Sequence, residues 1–298
     1  MNRRLAAALL ASGFGMHALA QDSAPETFAD PAQLAALAAE ERRLWEYSEE
    51  IDLALRRGDH VYRDARATGW LQDLLDRLFP DFKGHTRVRI LDDPAMNAFA
   101  LPNGSLYMNL GMLARSHNEA QVAVVLAHEG SHFLLRHSYR QRDTTIGLAT
   151  LAQIVGMVAG VYGLVGQVLA LAAITGYSRD NEREADQQGF ERYVKAGYDP
   201  QEAVRAFEIL AREIELAKVD EPFFFSSHPR VQERIDAFKA LGAARPAAGS
   251  APALPQWWNE LRDAWLKAEL ARGKVASVVH WLSGDGRDLF PAHADYYL

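Results

Sequence analysis

Apolar positions along the chain fall into blocks whose period changes from helical to strand-like and back. From Asp30-Pro31, an N-cap followed by proline at the first helical position, an Ala-, Leu-, Glu- and Arg-rich stretch predicts one long helix to about Arg57. A second helix is expected over Gly69 to Phe79, stopped by Pro80. Thr86 to Leu91 alternates polar and apolar side chains as a half-buried strand does. Asn97-Ala98-Phe99-Ala100-Leu101 is joined to Ser105–Asn109 by Pro102-Asn103-Gly104, which predicts a hairpin. Asn118 then caps a helix with Gln121 at its third position, and Val122, Val125, Leu126 and Phe133 recur at helical spacing to about His137. Further helices are expected at about 179–196, 200–217 and 229–241. The sum is a mainly helical α+β chain with a small sheet ahead of its central helix.

Three stretches depart from this pattern. Residues 1–20 carry Arg3 and Arg4, a short apolar run from Leu5 to Met16 and the small-residue ending Ala18-Leu19-Ala20, the order of a signal peptide cleaved after Ala20. That run is too short to span a ~30 Å hydrocarbon layer, so an exported chain is expected, in the periplasm if the source is a bacterium. Residues 146–175 hold no charge, and Gln153 and Gln167 are their only strongly polar side chains. Residues 245–255, rich in Ala, Pro, Gly and Ser, read as a linker to a segment over 256–298 that contains Trp257, Trp258, Trp265 and Trp281. Exposed tryptophans are unfavourable for solubility, so this tail is expected to dock on the rest of the chain.

Composition narrows the chemistry. With 298 residues, 49% hydrophobic and 24% charged, the chain is of ordinary globular make-up. Its 39 Asp and Glu against 32 Lys and Arg leave no cation excess to neutralise phosphates, so nucleic acid is not an expected partner. There is no cysteine, which excludes disulfides, thiolate metal sites and a cysteine nucleophile. Any metal must be held by histidine and carboxylate.

His128-Glu129-Gly130-Ser131-His132 places H-E-x-x-H in the middle of the predicted central helix. At 3.6 residues per turn the two histidines share a face and can offer two imidazole nitrogens to one zinc ion. Glu129 is rotated roughly 100° from His128, which suits a base acting on water rather than a ligand. A catalytic zinc needs a third protein ligand. Downstream, Glu182 and Asp186 are spaced i and i+4 in another helical pattern, so that Glu182 can reach the ion while Asp186 accepts a hydrogen bond from the far nitrogen of a ligating histidine. Glu184, between them, is expected to be solvated.

These strings, followed by Ser227-His228-Pro229 with Arg234 six residues after the histidine, resemble the signatures of the HtpX-like zinc metallopeptidases, which include the CAAX prenyl proteases and the BepA-type peptidases. The stretch Asn97 to Gly104 is similar to the strand that precedes the catalytic helix in that family, and the likeness covers about residues 35–242. The resemblance implies a gluzincin-type fold over 21–244, one Zn2+ per chain on His128, His132 and Glu182, and Glu129 as general base. It implies Asp186 as the support of a ligand. It also implies His228 and Arg234 beside the zinc, stabilising an oxyanion; in some relatives the equivalent histidine instead caps the metal and keeps the enzyme latent. The strand Asn97, Ala98, Phe99, Ala100 and Leu101 is expected to offer an edge to which an extended substrate adds, although taken alone the side chains of Phe99 and Leu101 read as core. The C-terminal segment departs from the BepA type, which carries a helical repeat there.

Because His132 and Glu182 must meet, the uncharged stretch 146–175 between them must return to its starting side. A hairpin broken near Gly160 to Gly166 is expected, either packed on the protein or dipped into a membrane surface. The leading expectation is a periplasmic zinc endopeptidase acting on misfolded or damaged envelope proteins. The alternative is a chaperone-like binding protein with structural zinc, against which an intact Glu129 argues.

Overall fold

The computed structural model describes residues 34, 37, 39–58, 60–140, 177–217, 231–243, 249–271 and 275–298. The expected signal peptide, Asp30-Pro31, the uncharged stretch 146–175 and His228 lie outside these residues.

Helix α1 runs Ala39–Arg57 and α2 Ala65–Leu78, followed by β1 (Arg87–Leu91), β2 (Ala98–Ala100) and β3 (Ser105–Asn109). The single long helix expected from Asp30 is not formed: Leu34 lies in a 3-10 turn and Leu37 is non-helical. Only from Ala39 onward do positions such as Leu44, Ser48, Ile51, Asp52 and Leu55 bury one face at helical spacing. Helix α2 begins four residues earlier than expected, because Asp64 accepts from the backbone N–H of Arg66 and Ala67 at 2.8 and 3.2 Å. It ends before Pro80.

The strands form one sheet in the order β1-β3-β2, with β1 and β3 parallel and β2 antiparallel to β3. Alternation sorts the side chains between two layers. Val88, Ile90, Ala98, Leu106 and Met108 enter the main core, whereas Leu91, Phe99 and Tyr107 meet Ile51 and Leu55 of α1 on the other face. Arg89 also points to α1, donating to Asp52 at 2.6 and 3.0 Å.

After the sheet come α3 (Leu110–Arg115), α4 (Glu119–Leu134), the single turn α5 (His137–Arg140), α6 (Arg179–Lys195), α7 (Pro200–Ala217) and α8 (Val231–Ala243). All 16 residues of α4 are buried, so it is the axis of the molecule rather than a surface helix. Its Asn118 cap accepts from Gln121 N–H at 3.0 Å, as the sequence pattern predicts. The helix ends three residues short of the expected His137. Arg136 takes a left-handed φ of 55°, and its guanidinium is buried against Glu41 of α1, so a tertiary ion pair turns the chain where no glycine or proline announces it.

Helices α9 (Trp258–Ala271), α10 (Val275–Ser283), α11 (Asp285–Leu289) and α12 (Pro291–Tyr297) complete the chain. The tail is docked. Trp258 and Trp265 are fully buried in the same core as α4, donating their indole N–H to the carbonyls of Leu113 and Pro94, each at 3.1 Å. Arg262 donates to the carbonyls of Ala114 and Ser116 at the end of α3, at 3.1 and 2.9 Å, satisfying backbone acceptors that a helix end leaves over. The described part of the expected linker, residues 249–255, is not a free tether. Ser250 bonds to Gly197 and Asp199, Pro252 O accepts from Glu119 N–H, and a side chain at Gly249 would collide with Tyr198 backbone at 2.4 Å. Among the described residues no helix is long and apolar enough to cross a membrane.

Candidate metal centre

Two helices build the site. Along α4 and α6 the backbones approach so closely that a Cβ on Gly189 would lie 3.0 Å from the carbonyl of Ala127 and the nitrogen of His128. That contact brings the acidic face of α6 over the histidine face of α4.

His128 Nε2 and His132 Nε2 lie 2.9 Å apart, and the Glu182 carboxylate stands 3.6 Å from the first and 3.4 Å from the second. All three side chains are buried. Among the described residues they are the one histidine and carboxylate cluster tight enough to hold a metal. Ligand bonds of ~2.0–2.1 Å in a tetrahedral ion place ligand atoms about 3.3 Å apart, and the three separations bracket that value. The donor set, two neutral nitrogens and one carboxylate oxygen with three positions filled, fits a metal that keeps a place for substrate or water. Glu129 follows His128 on the buried helix and is 1% exposed.

Each imidazole turns its other nitrogen to a partner. His128 Nδ1 is 2.9 Å from Asp186, the arrangement that the i, i+4 spacing of Glu182 and Asp186 predicts. Burial works against the Asp186 charge, but the Arg234 guanidinium and the His128 hydrogen bond hold its pKa down to about 2. Arg234 stands beside the cluster, as expected. It donates to Asp186 at 2.7 and 2.9 Å, lies 3.4 Å from Glu182 and 3.2 Å from His128 Nε2, and so clamps the two carboxylates at the edge of the histidine pair. Burial opposes its charge as well, and those two carboxylates raise its pKa regardless.

The sequence reading misses three members of the site. His137 Nδ1 lies 2.8 Å from His132 Nδ1, and Tyr177 stacks on the His132 ring at 3.8 Å and 13°. Glu184 is not merely solvated: it accepts from Arg140 at 2.7 Å and sits 3.2 Å from His137 Nε2. Burial pushes the His137 pKa down to about 4 against the pull of Glu184, whose own pKa is lowered chiefly by Arg140. A third histidine five residues after His132 is the one signal that could have pointed here. It falls beyond the helix end, where helical spacing no longer says which face a residue takes.

The strand expected to take substrate has its side chains in the core and its edge beside the cluster. Asn97, Ala98, Phe99 and Leu101 are buried, and Phe99 stacks on Tyr107 at 4.9 Å, so these side chains are core. β2 is nevertheless an edge strand, and a small cavity of about 10 Å³ shared by Ala100, Leu101, Pro102, His132 and Tyr177 puts its end beside the histidine cluster. A second cavity of about 490 Å³ between α6 and α8 borders Glu182, Asp186 and Arg234.

A buried His-His-Glu triangle, with a glutamate next to the first histidine on a helix that crosses the core behind a small sheet, defines a metallopeptidase. Residues 65–241 match the model of peptidase family M48, and the chain belongs to this family. It is 27% identical over 209 residues to the beta-barrel assembly-enhancing protease of Yersinia pestis, covering 62% of this chain and 43% of that protein. Over 169 residues it is 27% identical to the protein of the same name from Escherichia coli (strain K12), covering 53% and 34%. It is also 33% identical over 153 residues to the mitochondrial metalloendopeptidase OMA1 of Schizosaccharomyces pombe (strain 972 / ATCC 24843), covering 50% and 44%. The chain thus spans less than half the length of these relatives. The resemblance to HtpX-like and BepA-type metallopeptidases is borne out.

Proposed function

We propose that this metallopeptidase is a zinc endopeptidase of the bacterial cell envelope that hydrolyses misfolded or damaged proteins. The observation that supports this reading best is the convergence of His128, His132 and Glu182, brought from helices 50 residues apart in sequence to within ligand distance of a single ion, with Glu129 beside them. Zinc held there supplies a Lewis acid that polarises a carbonyl and brings the pKa of water toward ~7. The Glu129 carboxylate takes the proton of the attacking water and returns it to the leaving amine nitrogen. Asp186 keeps His128 in the tautomer whose Nε2 is free to bind, and Arg234 holds Asp186 and Glu182 in place. The edge of β2 pairs with an extended segment of substrate, a shape that unfolded chains adopt and folded ones do not. His228, on sequence grounds, acts beside the metal. Export with removal of residues 1–20 and peripheral membrane contact through 146–175 complete the proposal; the charge change Leu169→Lys should reduce vesicle flotation while zinc is retained.

The decisive experiment measures zinc content and cleavage of casein or denatured protein by wild type, His132→Ala and Glu129→Gln. Wild type should carry about one zinc per chain, His132→Ala should lose it, and Glu129→Gln should keep the metal while turnover falls by several orders of magnitude. Full occupancy in His132→Ala would remove the site assignment. Suppression of aggregation by both wild type and Glu129→Gln, with no cleavage by either, would favour the binding-protein alternative.

A further inference from the structure

The two histidines of the cluster are supported unequally. Behind His128 stands a carboxylate, Asp186, in the spacing that the sequence shows. Behind His132 stands another imidazole, His137, completely buried and outside the H-E-x-x-H string.

The protons along this second line can be assigned. His132 can bind a metal through Nε2 only when that nitrogen carries a lone pair, so its proton is on Nδ1 and is donated to His137 Nδ1 across 2.8 Å. His137 Nδ1 must then be the acceptor, which places its own proton on Nε2, facing Glu184 at 3.2 Å. Glu184 is fixed by Arg140, whose Nη1 donates at 2.7 Å to the same oxygen that faces His137. Every link has one donor and one acceptor, and only this assignment leaves His132 Nε2 open toward His128 and Glu182.

The backbone is shaped to deliver that ring. Arg136 departs from the helix into left-handed space, a conformation that is costly for a residue with a Cβ, and its ion pair with Glu41 holds it there. The turn folds His137 back under the last turn of α4 instead of letting it continue outward. Tyr177 closes the remaining freedom of His132 by stacking on its face.

We propose that His137 is a positioning residue for the metal: with Glu184 and Arg140 behind it, it fixes the tautomer and rotation of His132, as Asp186 does for His128. This rests on His132 being a zinc ligand. The test compares zinc affinity, by competition with a chromogenic chelator, among the full chain and its His137→Leu, His137→Gln and Glu184→Ala variants. Thermal unfolding of the metal-free proteins is measured alongside, with visible spectra after cobalt loading.

His137→Leu should weaken zinc binding by about 10- to 100-fold and alter the cobalt spectrum. His137→Gln, whose amide can accept from His132 and donate to Glu184, should recover most of the affinity. Glu184→Ala, at a half-exposed position, should lose a smaller factor without changing metal-free stability. Wild-type affinity in both His137→Leu and Glu184→Ala would overturn the proposal. If His137→Leu does not fold, wild-type affinity in Glu184→Ala alone would overturn it. A wild-type chain that takes up no zinc would remove the site reading itself, a result distinguishable before any variant is compared.

Discussion

Asp52 of α1 is buried under Arg89 and Tyr107 of the sheet, accepting at 2.6 and 2.5 Å, with Arg56 at 2.9 Å from its own helix. Burial alone would raise its pKa, but the hydrogen bonds from Arg89 and Tyr107 outweigh that and lower it. A carboxylate whose folded pKa lies below its unfolded value of about 3.9 stabilises the fold fully above that value and loses the contribution as pH falls toward the folded one. Asp52→Asn should therefore reduce unfolding free energy by about 2 kcal/mol at pH 7, with the gap between variant and wild type closing below about pH 4. Denaturant titrations at pH 7 and pH 3 check this; a gap independent of pH would mean that packing, not charge, anchors α1. At the metal centre, too, single residues act through neighbours. Arg234 illustrates it, since the cation expected beside the metal is held there by its pairing with the carboxylates of Glu182 and Asp186.

Among the elements, the pairing of α4 with α6 matters most, because each helix supplies part of the cluster and neither can hold an ion alone. Their separation is set at Gly189. Gly189→Val would push the side chain into the backbone at Ala127 and His128, at about 1–3 kcal/mol of overpacking, and displace Glu182 and Asp186 from their partners. Zinc affinity should fall more steeply in this variant than thermal stability does, and unaltered affinity would show that the helices can re-seat without loss. The sheet contributes differently. β3 is central, the outer side of β1 pairs with the backbone of His60 and Tyr62, and β2 is the edge strand whose end lies beside the cluster. Periodicity could assign the hairpin but not its parallel partner, since pairing between β1 and β3 skips over β2 in sequence.

For the whole molecule, a single core joins the M48 domain to the C-terminal helices. Trp265 lies against Trp281 at 4.8 Å and under the Arg115 guanidinium, and Trp258 meets Trp70 of α2 at 5.0 Å. Trp265→Ala should cost about 3–5 kcal/mol, and deletion of 256–298 should yield a chain that does not fold stably, because the α3 carbonyls and the core around Leu113 would both be uncovered. A cooperative unfolding transition in the truncated chain, at the temperature of the full one, would contradict this. The extent of what was legible follows from the range of the interactions involved. Helix existence, the Asn118 cap, the strand alternation and the pairing of His128 with His132 depend on neighbours within a turn or two, so the sequence by itself determined them; the Glu182 and Asp186 spacing is equally local. Where α4 stops, which way Arg136 turns, that His137 supports His132, that Glu184 is bound and Arg234 is a clamp were decided only by the tertiary structure. All but one depend directly on a partner far along the chain, such as Glu41 for Arg136 or Asp186 for Arg234; His137 is only five residues from His132, but the turn that brings the two together is held by Glu41, and no local pattern encodes which distant charge a buried side chain will meet.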